Sequence, residues 1–325
     1  MAELLVPAAL FVGSLGALLF ASDVFTSAAE EIGLSFGISP FIIGVTVVAG
    51  GTSLPELVSS VLAVFRGAPE IVIGSVVGSN ISNMLLVLGV AAVVGGNIRV
   101  IRELVEVDLP LLVASAVFLL LATWGSPFSW YEGLLALVAL GVYIQFTIRE
   151  KDRYIGMLVD ELVEGSGETG PDEPEAQTDG WTYARLILSL AVVFAAAYGL
   201  VESIITVSAA LQIGTEIIAI TAVAVGTSLP EIVVSVVAVR RELPGLAVGN
   251  VLGSNLYNSF LVTGLPSLAG ELVVPTSIRS YGLPAMVLIT VLYFFITQDR
   301  EITRWEGMTL LLLYVVFIVN LASFL

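Results

Sequence analysis

Two glutamates, Glu56 and Glu231, each close the hexapeptide Gly-Thr-Ser-Leu-Pro-Glu inside a long apolar stretch. An acidic side chain at the centre of a membrane span costs roughly 2.5–3.5 kcal/mol on insertion scales, and such residues usually mark an ion or substrate pathway. More side-chain oxygen stands just before each: Thr52 and Ser53 in one case, Thr227 and Ser228 in the other. Residues three and four apart share a face, so one helical turn sets these oxygens on one side. Pro55 and Pro230 remove a backbone donor and clash with the turn before. With Gly50-Gly51 and Gly226 adjacent, a kinked or broken helix is expected, freeing carbonyls near Ala49 and Ala224 to face a cavity. Unwound backbone at that depth is tolerated only against protein or a hydrated site.

A second motif follows each glutamate: Gly74-x-x-x-Gly78-Ser79-Asn80-x-x-Asn83 and Gly249-x-x-x-Gly253-Ser254-Asn255-x-x-Asn258. The paired glycines allow close helix approach. Ser79 and Asn83 share a face, as do Ser254 and Asn258. Four helices thus supply hydroxyl, amide and carboxylate oxygens, the inventory that a hard cation with roughly six to eight oxygen ligands needs. The chain has no histidine and no cysteine, so any cation site must use oxygen. That suits Na⁺, Ca²⁺ or Mg²⁺ rather than Zn²⁺ or Cu²⁺. Each feature alone has a plainer explanation: glycine pairs pack helices, hydroxyls bond the preceding turn, a lone proline kinks, a lone glutamate snorkels. Duplication of the whole set in register is what those explanations leave out.

The elements that position these residues are membrane helices. The 325 residues are 57% hydrophobic and 12% charged, against about 25% charged in soluble domains. Apolar windows predict ten spans, near 4–22, 38–64, 70–94, 105–123, 129–147, 183–206, 214–239, 245–270, 280–297 and 304–324. Without a basic n-region, Leu4 onward reads as a first span, not a removable signal. A polar segment rich in Gly, Pro and acids separates spans five and six. The chain therefore divides into a first five-helix repeat (1–148), an acidic linker (149–181) and a second five-helix repeat (182–325), with core motifs at 40–89 and 215–264. Residues 51–89 align on 226–264 without a gap, and more than half of the positions are identical. Because five is odd, the second repeat enters the membrane upside down. The expected fold is an all-α polytopic membrane protein: ten transmembrane helices as two inverted-topology repeats, with broken helices at the midplane.

Basic residues fix the expected orientation. With the linker in the cytoplasm, the inner loops hold ten of the twelve Lys and Arg, and the outer loops hold only Arg66 and Arg279. Both termini then lie outside a cell membrane. The net charge of −16 disfavours nucleic acid. Eleven of the twelve bases are Arg, and an acidic, Lys-poor surface fits a halophilic prokaryote with high internal salt. The linker acids Asp160 through Asp179 do not match an EF-hand and read as a solvated connector.

On these motifs the chain resembles the sodium/calcium exchanger family, prokaryotic type, of the cation/calcium antiporter superfamily. The resemblance covers both repeat cores and, through the span count and central loop, the whole chain. It implies exchange of Ca²⁺ for Na⁺ by alternating access at a shared mid-membrane site, electrogenic at three Na⁺ to one Ca²⁺. Glu56 and Glu231 would then ligate Ca²⁺ and serve Na⁺. Thr52, Ser53, Thr227, Ser228, Ser79 and Ser254, with nearby carbonyls, would complete the Na⁺ sites. Asn83 and Asn258 end the motifs; Asn258 stands where prokaryotic and K⁺-dependent relatives often carry Asp and many K⁺-independent animal exchangers carry Asn, so K⁺ dependence is less expected. Spans one and six would slide against the rest. No cofactor and no obligatory protein partner are expected beyond the two ions and the bilayer. Charge supports coupling: two carboxylates give the unloaded site −2, and a loaded site is cheaper to move through low dielectric. The nearest alternative is a Ca²⁺/H⁺ exchanger of the same fold, in which protons replace Na⁺ on the glutamates. A passive cation channel is a second class. An intramembrane enzyme is a third, weakened by the lack of His, Cys or an Asp pair.

Overall fold

The computed structural model describes residues 2–36, 49–100, 108–125, 127–149, 179–240 and 244–321. Most of the acidic linker and the start of the second span lie outside them. The described residues group into ten helical segments that follow the ten predicted spans. The first is α1 (Ala2–Ser35) and the second α2 (Ala49–Thr52) with α3 (Leu54–Phe65). The third is α4 (Glu70–Ser82), a π-helical turn over Asn83–Val87, and α5 (Leu88–Gly95). Then come α6 (Leu109–Ala122), α7 (Trp130–Arg149) and α8 (Gly180–Leu211). The seventh span is α9 (Thr215–Ile218), a π turn over Ala219–Val223, α10 (Ala224–Thr227) and α11 (Leu229–Arg240). The eighth is α12 (Pro244–Tyr257), a π turn over Asn258–Val262, and α13 (Thr263–Ser267). Last are α14 (Leu283–Ile296) and α15 (Arg304–Leu321).

α1 and α8 outrun the windows 4–22 and 183–206, with 34 and 32 residues. Asp23, Glu30 and Glu31 end the apolar window, but a charge does not stop a helix. At about 1.5 Å per residue α1 is roughly 50 Å long, so it must tilt or project from a hydrocarbon layer about 30 Å thick. The two helices run antiparallel along each other. Glu31 of α1 accepts from Arg185 (3.0 Å) and Thr182 (3.2 Å) of α8, while Ser14 lies against Gly199. Asp179 caps α8 by accepting the Thr182 N–H at 3.0 Å, which holds its carboxyl below the usual range. At the other end of α8, Glu202 pairs with Arg66 past the end of α3, and the guanidinium lies 4.7 Å from the Tyr198 ring centre.

The third span is the centre of the molecule. In its most apolar window 94% of residues are buried, against 17% for α1. The Gly74–Gly78 pair explains how it is reached. A Cβ added at Gly74 would sit 2.8 Å from the Glu216 carbonyl oxygen, and one at Gly78 only 2.5 Å from that of Ile220. The glycines bring the third and seventh spans, one from each repeat, backbone to backbone.

The loops carry the repeat symmetry. β1 (Ile98–Arg99) and β2 (Glu301–Ile302) pair antiparallel with Ile98 opposite Ile302, and Phe128 bridges Leu272. A shift of 174 carries Ile98 to Leu272 and Phe128 to Ile302, so each pairing is the image of the other. They are one span apart along the chain and so belong to opposite membrane faces. Glu132 accepts from Ser129 N–H and Oγ (2.6 and 2.8 Å), as Glu306 does from Thr303 (2.7 and 2.8 Å), two matching capping boxes.

Candidate ion-binding site

Both proline motifs break their helices at the serine. Ser53 (φ −87°, ψ 4°) separates α2 from α3, and Ser228 (φ −81°, ψ 0°) separates α10 from α11. Pro55 and Pro230 then open the next helix, where a missing N–H costs least. Of the carbonyls expected near the break, that of Ala224 accepts the Ser228 N–H at 3.1 Å, so the proline does not release it. Proline withholds its donor from the carbonyl four residues back, which is Gly51 or Gly226. Ala49 begins α2.

The breaks bring the two glutamates together in the interior, 1% and 2% exposed and near enough to repel each other. Each is bracketed by hydroxyls from both repeats. Thr227 and Ser79 face Glu56; Thr52 and Ser254 face Glu231, the last at 3.4 Å from Oε1. The hydroxyls also meet in crossed pairs, Thr52 with Ser254 at 3.4 Å and Thr227 with Ser79 at 3.5 Å. These hydroxyl–hydroxyl contacts exceed the roughly 3.0 Å of a good O–H···O bond, and Thr227 gives its proton to the Val223 carbonyl at 3.1 Å.

Six oxygens of the predicted set have no hydrogen-bond partner among the described residues: Ser53 Oγ, Ser228 Oγ, Glu56 Oε2, Glu231 Oε2, Asn83 Oδ1 and Asn258 Oδ1. A buried unpaired polar atom costs about 1–3 kcal/mol. Six acceptors of this kind are the surroundings that a desolvated cation requires. Among the described residues no group of three or more His, Cys, Asp or Glu side chains is placed to hold a metal ion.

Residues that the sequence reading left outside the ligand set hold the third and eighth spans in register. Asn83 donates to Asn255 Oδ1 (2.9 Å), Asn255 to the Asn80 carbonyl (3.4 Å), and Asn80 to Ser259 Oγ (2.9 Å). Asn80 and Asn255 stand inside the duplicated motif, so duplication could have found them. Ser259 could not be found that way, because its counterpart is Met84. π turns begin at Asn83 and at Asn258, a feature frequent at functional sites.

The family model described as "Sodium/calcium exchanger protein" matches residues 6–149 and 181–322. The chain belongs to the sodium/calcium exchanger family. This member is 35% identical to the sodium/calcium exchanger MaX1 of Methanosarcina acetivorans over 92% of its own length and 94% of that protein's. It is 31% identical to an uncharacterised membrane protein of Methanocaldococcus jannaschii over 94% of both chains. A solved structure of the exchanger NCX_Mj, soaked with Na⁺ and Sr²⁺, matches with a TM-score of 0.65 and 31% identity, covering 97% of this chain and 99% of that one. The fold and the membrane placement of this family member follow.

Proposed function

We propose that this exchanger moves Ca²⁺ against Na⁺ through one shared site built on Glu56 and Glu231. The observation that carries the reading is the crossed bracket: each carboxylate faces a serine of its own repeat and a threonine of the other. Hydroxyl oxygens serve a Na⁺ ion, whereas a proton on a carboxylate has no need of four of them. That favours Na⁺ over H⁺ as the counter-ion. Ser53, Ser228, Asn83 and Asn258 add neutral oxygens, as six- to eightfold Ca²⁺ coordination asks. The exchange is electrogenic if three Na⁺ replace one Ca²⁺. Orientation follows the positive-inside count, with the linker cytoplasmic and both termini outside the cell membrane.

α1 is placed to control access. Its Thr26 lies where a Cβ on Gly51 would be (2.2 Å), and its Leu15 where a Cβ on Gly226 would be (2.3 Å). One helix thus covers both breaks, and a displacement of the α1–α8 pair would uncover them. Thr227→Val keeps the shape and removes the hydroxyl shared by Glu56 and Ser79. It should weaken equilibrium Na⁺ binding about three- to tenfold and leave the melting temperature nearly unchanged. The counter-ion is tested by Ca²⁺ uptake into proteoliposomes under imposed Na⁺, H⁺ and K⁺ gradients in turn. Only the Na⁺ gradient, with pH clamped, should drive uptake. Uptake driven by the H⁺ gradient alone would replace Na⁺ by H⁺, and flux with no counter-ion would make the protein a channel.

A further inference from the structure

The two repeats differ one helical turn from each glutamate. In the second repeat, Asn250 Nδ2 of α12 donates to Ser235 Oγ (3.1 Å) and to the Glu231 carbonyl (3.3 Å) of α11. The amide closes the gap between the two helices and satisfies both oxygens. The corresponding residues of the first repeat, 175 positions earlier, are Ser75, Ser60 and Glu56. Ser60 and Ser75 are 1% and 2% exposed, yet neither hydroxyl has a hydrogen-bond partner among the described residues. α3 and α4 are unbroken at these positions, as α11 and α12 are, so the register carries over. Serine has neither the reach nor the second donor of asparagine. Where the second repeat has an amide plug, the first presents two buried, unsatisfied hydroxyls, while the Glu56 carbonyl accepts only the Ser59 hydroxyl from a side chain, at 3.2 Å.

Position gives the difference a direction. Ser60 lies one turn from Glu56 toward Arg66, and Ser75 one turn from Ser79 toward Glu70. In the proposed orientation that is the outer side. Ser235 and Asn250 flank Glu231 on the inner side.

We propose that Ser60 Oγ, Ser75 Oγ and the Glu56 carbonyl form a neutral oxygen site for one Na⁺-sized monovalent cation, one turn outward of Glu56. Asn250 fills the counterpart on the inner side, so no equivalent stop exists there. A divalent ion is disfavoured because every ligand of the pocket is uncharged, and removing Ca²⁺ from water needs carboxylates. A monovalent ion keeps the attraction of the Glu56 charge one turn away. The proposal rests on the reading of the chain as Na⁺-coupled.

The test uses the full chain in proteoliposomes, with the half-saturating concentrations of Na⁺ and Ca²⁺ measured separately. Ser75→Asn reproduces the second repeat's plug and should raise the Na⁺ value about tenfold, with the Ca²⁺ value moving less than about twofold. Ser60→Ala removes one ligand without adding bulk and should raise the Na⁺ value about fivefold. It decides the matter alone if Ser75→Asn does not fold. Equal shifts for both ions, or none, overturn the proposal and leave the hydroxyls to a buried water or to packing. If the unaltered protein shows no Na⁺-driven Ca²⁺ flux, the functional reading fails instead. Na⁺-induced thermal stabilisation of the purified chain, compared with Ser75→Asn, then still tests the pocket: an equal stabilisation in both overturns it.

Discussion

Glu56→Gln is expected to abolish Na⁺-driven Ca²⁺ movement and to weaken equilibrium Ca²⁺ binding by at least about a hundredfold, since a charged ligand bond is lost along with half the site's charge. The glutamine keeps the shape and can still meet Thr227 and Ser79, so the loss is specific to charge. The same substitution relieves the repulsion with Glu231, which lies in the same interior at 2% exposure. Removing one of two like charges from low dielectric should leave the melting temperature unchanged or raised. Loss of transport with a stable fold is the signature to look for. Retained Na⁺-driven flux in the variant, measured in proteoliposomes, would remove Glu56 from the site.

Gly78→Ala should produce a large structural effect, because its added methyl would have the closest backbone neighbour of any glycine among the described residues. Its Cβ would meet the Ile220 carbonyl oxygen at 2.5 Å, the Ala224 Cβ at 2.7 Å and the Ile220 Cα at 2.7 Å. Two of these are backbone atoms of the seventh span and cannot turn aside. The third and seventh spans must separate, at a cost of about 1–3 kcal/mol for overpacking, and more where the backbone resists. Thr227 follows Ala224 by one turn, so the separation also draws its hydroxyl from Glu56 and Ser79. A lowered melting temperature together with weakened Ca²⁺ binding is the expected pair of results. Gly13→Ala is the control, because nothing lies within 4 Å of the added atom. Equal melting temperatures for the two variants would contradict the close approach.

How much of this was legible in the sequence depends on what each feature rests upon. The broken second and seventh spans could be read from Pro55 and Pro230, because a missing N–H acts wherever the chain runs. The proposed site residues could be singled out because the motif that carries them is written twice in register. The length of α1 was not legible: an apolar window stops at Asp23, whereas the helix needs only the absence of a stop signal. The Ser228 N–H bond to the Ala224 carbonyl was not legible, though that carbonyl keeps a second lone pair. The crossed pairing of Thr52 with Ser254 and Thr227 with Ser79 was not legible either. Sequence shows that the repeats match, but only packing shows that each completes the other. Ser259 and Asn250 escaped because they occur in one repeat alone, which a search for duplication passes over.

The central claim is one site shared by two ions, and Ca²⁺ binding to the purified chain at rising Na⁺, at fixed pH and ionic strength, tests it most directly. The account predicts that Na⁺ raises the apparent Kd for Ca²⁺ without lowering the number of sites, with a dependence on Na⁺ steeper than first power. A Kd for Ca²⁺ that stays constant as Na⁺ rises would contradict it.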